Sequence, residues 1–204
     1  MVINSKLKIR CGIIGAKGYL AKQLIEYLRN NQNNIKIIKH FKNGNIKNFK
    51  KIDILINFAS PNEVISRKKK NIKKIISDWK ASIDSAVKIG KPKIIINICT
   101  VHIFNNCNKL LVKEDSEIQS ADPYSKVQII CMKHLNQLDA KVLNLYVTNI
   151  YGTISKKLQP RKDLILNKII DSAVNKKDLK LDTDCKSYRD FLWIEDFLKI
   201  LHKL

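Results

Sequence analysis

The stretch from Leu7 to Leu28 constrains this chain more than any other. An apolar run, Leu7 to Ile14, passes straight into Gly15-Ala16-Lys17-Gly18-Tyr19-Leu20-Ala21. Beyond it Leu20, Leu24, Ile25 and Leu28 recur at helical spacing, so the segment predicts a strand, a glycine turn and an amphipathic helix. Glycines at such a turn let the backbone approach a ligand, because no Cβ stands in the way. The first helical amides, at Tyr19 and Leu20, lack partners inside the helix and lie at the positive end of its dipole, which favours an anion. Strand, Gly15, Gly18 and helix in that order predict a site for the linked phosphates of a dinucleotide. The competing reading is a plain tight turn.

The same alternation runs on through the chain. Strand candidates are Leu7 to Ile14, Ile35 to Ile38, Ile52 to Phe58, Lys93 to Ile98 and Lys141 to Val147. Each is rich in Ile, Val or Leu without polar alternation, as in strands covered on both faces. A helix is predicted from Ser60-Pro61-Asn62-Glu63, a capping sequence with Pro at the first helical position. Its apolar side is Ile65, Ile72, Ile76, Trp79, Ile83 and Val87, and Gly90 and Pro92 stop it. Strands alternating with helices predict an α/β fold on a parallel sheet. With 204 residues, 45% of them hydrophobic, and no repeat or linker, one globular domain is expected.

The charge invites a different function. Lys and Arg number 39 against 18 Asp and Glu, a formal charge of +21. Of these cations 34 are lysine and 5 arginine, spread along the chain. Dedicated nucleic-acid surfaces use Arg for bidentate contacts and aromatics for stacking. Lys, Ile and Asn make up 87 of the 204 residues, the drift expected of an AT-rich coding sequence, so no specific nucleic-acid partner is expected. The run Lys68 to Lys70 reads as the solvated face of the long helix. Five cysteines, at 11, 99, 107, 131 and 185, form no CxxC pair and read as core thiols rather than a disulfide or zinc framework. The histidines at 40, 102, 134 and 202 have no ligand or triad spacing, so no metal is expected. No apolar run reaches the roughly 18 to 20 residues of a membrane span, and Met1 to Lys8 lacks a secretory signal, so a cytoplasmic protein is expected.

The glycine turn resembles the GxxGxxG turn of the extended short-chain dehydrogenase/reductases, the NAD-dependent epimerase/dehydratase group acting on nucleotide sugars. Gly15 and Gly18 match its first two glycines and Ala21 replaces the third. Gly12, Gly15 and Gly18 fit the same spacing but put the first glycine inside the strand. Asp53 to Ser60 is similar to that family's strand ending in a small-residue turn, here Ala59, beside the cofactor. Ile94 to Phe104 resembles the strand carrying the catalytic hydroxyl, with Thr100 four residues before Phe104. Ala121-Asp122-Pro123-Tyr124-Ser125-Lys126 resembles the segment ending in YxxxK. Leu145 to Gly152 resembles the segment ending in NVYG, and Ser187 to Asp196 the RDFxxVxD segment.

The resemblance implies a Rossmann-like doubly wound parallel sheet with an abbreviated C-terminal substrate-binding region. In one domain, residues 1–147 would bind the cofactor and 148–204 form an incomplete substrate-binding portion. A crossover helix and strand usual after the second strand are expected to be missing. The activity implied is hydride transfer at a sugar carbon, as epimerase, dehydratase or 4-keto-reductase, in surface-polysaccharide synthesis. Thr100 would polarise the substrate oxygen, Tyr124 exchange its proton and Lys126 hold the nicotinamide ribose. Asn149 would contact the nucleotide-diphospho-sugar and Arg189 its diphosphate. Gly15, Lys17, Gly18, Tyr19, Leu20, Lys39, His40 and Ala59 would surround the cofactor. Where NAD-binding relatives carry an acid, the second strand ends in Lys39-His40, which with Lys17 suits a 2′-phosphate; NADP is expected, with NAD the alternative. A homodimer through a helix pair is implied, the Trp79 and Ile130 helices being candidates.

The tyrosine departs from that pattern. Residues four apart share a helix face, whereas YxK sets its two members on roughly opposite sides. Either Lys126 is the family lysine with Asp122 in the tyrosine position, or Tyr124 is the tyrosine with Gln128 in the lysine position. A catalytically impaired relative that senses the cofactor or binds a partner is therefore the alternative function.

Overall fold

Apolar strands with no polar face pair side by side, and their order places the ligand crevice. A computed structural model describes residues 8–31, 34–40, 49–62, 66, 71–104, 111–113, 115–118, 122–158, 164–179 and 189–204. Within them the chain divides into two compact units, one of 1–18 with 32–146 and the other of 19–31 with 147–204.

The first unit is built on a sheet of β1 (Ile9–Ile14), β2 (Ile35–His40), β3 (Ile54–Asn57), β4 (Ile94–Thr100) and β5 (Lys141–Val147). Their order is β2-β1-β3-β4-β5. β1 pairs in parallel with β2, Ile14 opposite His40, and with β3, Ile14 opposite Asn57. β3 pairs in parallel with β4, Asn57 opposite Asn97. After β2 the chain crosses to the other side of β1, so the strand order reverses there. In open α/β sheets the crevice at such a switch point, outside the carboxyl ends of the strands, takes the ligand. Among the described residues β2 is an edge strand, and the extra strand usual beyond it is not seen.

Helix α2 (Ile72–Gly90) and helix α3 (Pro123–Leu135) belong to this unit. One cluster joins Ile14, Leu55 and Ile95 of the strands to Trp79 and Ile83 of α2 and Val127 and Leu135 of α3. Gly12 sits mid-strand, where an added Cβ would come 2.7 Å from the Phe49 ring, so its smallness serves packing rather than a phosphate. The long helix expected from Ser60 is not continuous. α2 begins after Asn71, which adopts the left-handed conformation at φ 60° that asparagine tolerates. Residues 63–65 and 67–70, with the lysine run, lie outside the described residues. Trp79 is spent on the core, whereas Ile130 of α3 is exposed.

The second unit holds α1 (Tyr19–Asn31), β6 (Asn149–Tyr151), α4 (Ile165–Val174), β7 (Phe191–Trp193) and α5 (Ile194–Lys203). Buried Gln23 of α1 donates to the Thr153 hydroxyl at 2.9 Å and accepts from the Ile154 amide at 3.0 Å. Tyr27 meets His202 of α5 edge-on. β6 and β7 pair in parallel, Tyr151 opposite Trp193. Gly152 follows at φ 85°, and a Cβ there would fall inside the Trp193 ring. No helix among the described residues is long and apolar enough to cross a membrane.

Cys11, Cys99 and Cys131 are free and buried, while Cys107 and Cys185 lie outside the described residues. Burial pushes their thiols up to about 12, 11 and 12 respectively. They therefore stay neutral and poorly nucleophilic at neutral and mildly alkaline pH. In the native protein at pH 8, iodoacetamide should label these three at a small fraction of the rate in denaturant. Rapid native labelling of Cys11, read by peptide mass, would contradict the burial.

Candidate functional site

The carboxyl ends of β1 and β3 make the site. β1 runs out at Ile14, and Gly15 turns the chain at φ 77°, a conformation an L side chain rarely adopts. The turn closes with the Gly18 amide donating to the Gly15 carbonyl at 2.8 Å, and α1 starts at the next residue. Gly15 lies tight against the end of β3: an added Cβ would stand 3.0 Å from the Ala59 nitrogen and 3.1 Å from the Phe58 carbonyl carbon. The Phe58 amide donates to the Ile14 carbonyl at 3.1 Å, so the two turns are tied side by side.

Ala59 is held at both of its polar atoms. Its amide donates to Asn57 Oδ1 at 3.1 Å, and its carbonyl accepts from the Trp79 indole. Beside these turns opens a cavity of about 360 Å³, lined by Gly15 to Gly18, Phe58 to Pro61 and, from α2, Ile75, Asp78, Trp79 and Ser82. That is within the roughly 300–1,000 Å³ usual for small-molecule sites. Lys17 lines the cavity. Lys39 is exposed, and with His40 it pairs beside Ile13 and Ile14, next to the glycine turn. Tyr19 and Leu20 open α1 directly after Gly18.

At the end of β4, Thr100 is buried, and its hydroxyl accepts from the His102 amide at 3.3 Å. Asp122 caps α3 by accepting from the Ser125 amide at 3.0 Å, with Pro123 in the first turn. This places Tyr124 in the first helical turn, its ring edge-on to His102 at 6.4 Å between centroids. Ser125, fully buried, donates to the His102 carbonyl at 2.9 Å. Thr100 and Tyr124 thus share His102 as a neighbour, and His102 and Ser125 are structural members of the site that the sequence reading passed over. A histidine without ligand spacing carries no signal, yet its backbone and its ring both meet residues of α3.

Lys126 does not join them. It is exposed, about 200° around the helix from Tyr124. Gln128, one turn beyond Tyr124, is the inward residue, buried and donating to the Pro61 carbonyl at 2.9 Å. In the second unit, Asn149 donates from its side chain to the Asp190 carbonyl at 3.0 Å, and Arg189 is exposed just before β7. No group of three or more His, Cys, Asp or Glu among the described residues could hold a metal ion.

A family model described as NAD dependent epimerase/dehydratase family matches residues 11–204. No curated protein matches the chain in sequence. Among solved structures, an NAD-dependent NDP-hexosamine 5,6-dehydratase of tunicamycin biosynthesis superposes with a TM-score of 0.76 at 15% identity, covering 96% of this chain and 71% of its own. UDP-glucuronic acid 4-epimerase from Bacillus cereus, in complex with UDP-glucuronic acid and NAD, gives 0.73 at 18% identity, covering 93% and 71%. UDP-N-acetylglucosamine 4-epimerase from Methanobrevibacter ruminantium gives 0.69 at 16%, covering 95% and 71%. At such identities these likenesses establish the fold, a Rossmann-like α/β sheet.

Proposed function

The chain belongs to the NAD-dependent epimerase/dehydratase family, and from that membership we propose that it is a nucleotide-sugar oxidoreductase of the epimerase, dehydratase or 4-keto-reductase type, serving surface-polysaccharide synthesis. The observation that carries this is the bare backbone at Gly15, pressed against Ala59 beside a cavity of about 360 Å³ at the strand-order switch. A backbone without a Cβ, next to Lys17, suits the pyrophosphate of a nicotinamide dinucleotide, which supplies hydride donation and acceptance when bound. Gly15, Lys17, Gly18 and Ala59, with the amides of Tyr19 and Leu20, would hold it.

This chain's own residues do the rest. Thr100 offers its hydroxyl to the sugar oxygen whose charge changes during the reaction. Tyr124 gives and takes that oxygen's proton. Asn149 and Arg189 take the nucleoside-diphosphate sugar, Arg189 by a charge-assisted contact to its diphosphate. The Bacillus cereus 4-epimerase is in complex with a molecule of this class, UDP-glucuronic acid. A homodimer would form through the exposed face of α3 around Ile130. Lys126→Ala, at an exposed position away from Tyr124, should leave cofactor affinity and turnover within about twofold, the usual scale for such a surface change. A larger loss would restore Lys126 to the ribose.

The cofactor is NADP. No acid ends β2, where Lys39 stands, and Lys17 lines the cavity. Two cations near a 2′-phosphate should favour NADP over NAD about tenfold or more. Calorimetry with both dinucleotides, repeated on Lys17→Ala and Lys39→Ala, tests this; tighter binding of NAD by the wild type would reverse the assignment. Hydride exchange with nucleoside-diphospho-4-keto sugars then tests the activity. Dinucleotide binding with no exchange on any such sugar would leave a cofactor-binding protein instead.

A further inference from the structure

Four asparagines cross the first unit in a single hydrogen-bonded line. Asn57 Nδ2 donates to Asn97 Oδ1 at 2.9 Å, Asn97 Nδ2 to Asn144 Oδ1 at 2.9 Å, and Asn144 Nδ2 to Asn136 Oδ1 at 3.1 Å. The line starts in the middle of the sheet, where Asn57 and Asn97 are cross-strand partners 1% and 4% exposed, and ends at the cap of α3. Its direction is set by the backbone. An amide N–H can only donate, so Asn57 must turn Oδ1 to Ala59, and each following side chain then has one orientation left that satisfies its neighbour. Buried amides cost free energy unless paired, and Leu55 and Ile95, two residues back on the same face and fully buried, show that apolar residues fit there. A line of paired amides here has one end on the residue that abuts Gly15.

We propose that Asn97 and Asn144, which touch no part of the cavity, are positioning residues for the dinucleotide site, acting through Asn57 to hold the Ala59 amide against the Gly15 turn. Trp79 holds the carbonyl of the same residue, so Ala59 is fixed between the sheet and α2. With Asn97 removed, the Asn57 amide has no buried acceptor, and turning to find one takes Oδ1 from Ala59. The site then loses the shape that its bare glycine serves. This rests on the dinucleotide reading above.

The test is calorimetry with NAD and NADP on wild type, Asn97→Leu, Asn144→Leu and Asn97→Asp, with Ile95→Val as a core control and thermal melting on all. Wild-type binding tests the dinucleotide reading by itself; the variants are then compared with it. Asn97→Leu should weaken binding about tenfold and Asn144→Leu, one link further off, about threefold, with turnover at saturating cofactor retained. Asn97→Asp keeps an acceptor for Asn57, and exposed Asn136 lets Asn144 turn to donate to it, so binding should recover to near the wild-type value. Ile95→Val should lower the melting temperature without changing affinity. Wild-type affinity in both folded Leu variants, or a loss in Ile95→Val as large as theirs, overturns the proposal. Should Asn97→Leu fail to fold, Asn144→Leu decides it alone.

Discussion

Gly15→Val should abolish dinucleotide binding, weakening it by at least about 100-fold. Two costs combine. A β-branched residue at φ 77° is strained, at about 1–3 kcal/mol. Its Cβ would also stand 3.0 Å from the Ala59 nitrogen and 3.1 Å from the Phe58 carbonyl carbon, both backbone atoms that cannot swing aside as a flexible side chain can. Ala59 is tied by Asn57 and Trp79, so the turn would have to open, and the bare backbone proposed to meet the phosphates would be gone. Melting should fall by several degrees while the protein stays folded, because the strain is local. Calorimetry and melting on the same sample check both halves; binding kept within a fewfold would remove the phosphate role of this turn.

Tyr124→Phe should lower hydride exchange by about 10²- to 10⁴-fold, the range for losing a positioned acid/base group. Dinucleotide affinity should hold, because the cavity at Gly15 is lined by the ends of β1 and β3 and by α2, not by Tyr124. The ring would keep its edge-on contact with His102, so the loss would be of the hydroxyl alone. Single-turnover measurement of hydride transfer, paired with calorimetry, separates the two. Unchanged transfer in Tyr124→Phe would move the proton elsewhere; the site already brings Ser125 and His102 to the same corner.

Much of this was legible in the linear chain. The strand, glycine turn and helix were readable because apolar periodicity and a glycine requirement are local properties. The cap at Asp122-Pro123 was readable for the same reason, and it correctly set Tyr124 in the first turn of α3. The start of α2 after Asn71 was not, since an amphipathic pattern runs through that position unchanged and the left-handed conformation of a single residue marks it. The histidines were set aside for want of spacing, yet His102 joins β4 to α3 through backbone atoms that carry no residue code.

What the amino-acid order determined alone is the α/β pattern and the position of the glycine turn, both of which follow from short-range spacing of apolar residues and glycines. Only the tertiary structure decided that Lys126 faces solvent while Gln128 faces inward. It alone aligned Asn57, Asn97, Asn144 and Asn136, which are separated by 40, 47 and 8 residues in sequence, into one line. Such a line depends on the register between strands, and register is a property of packing that no local stretch of chain contains.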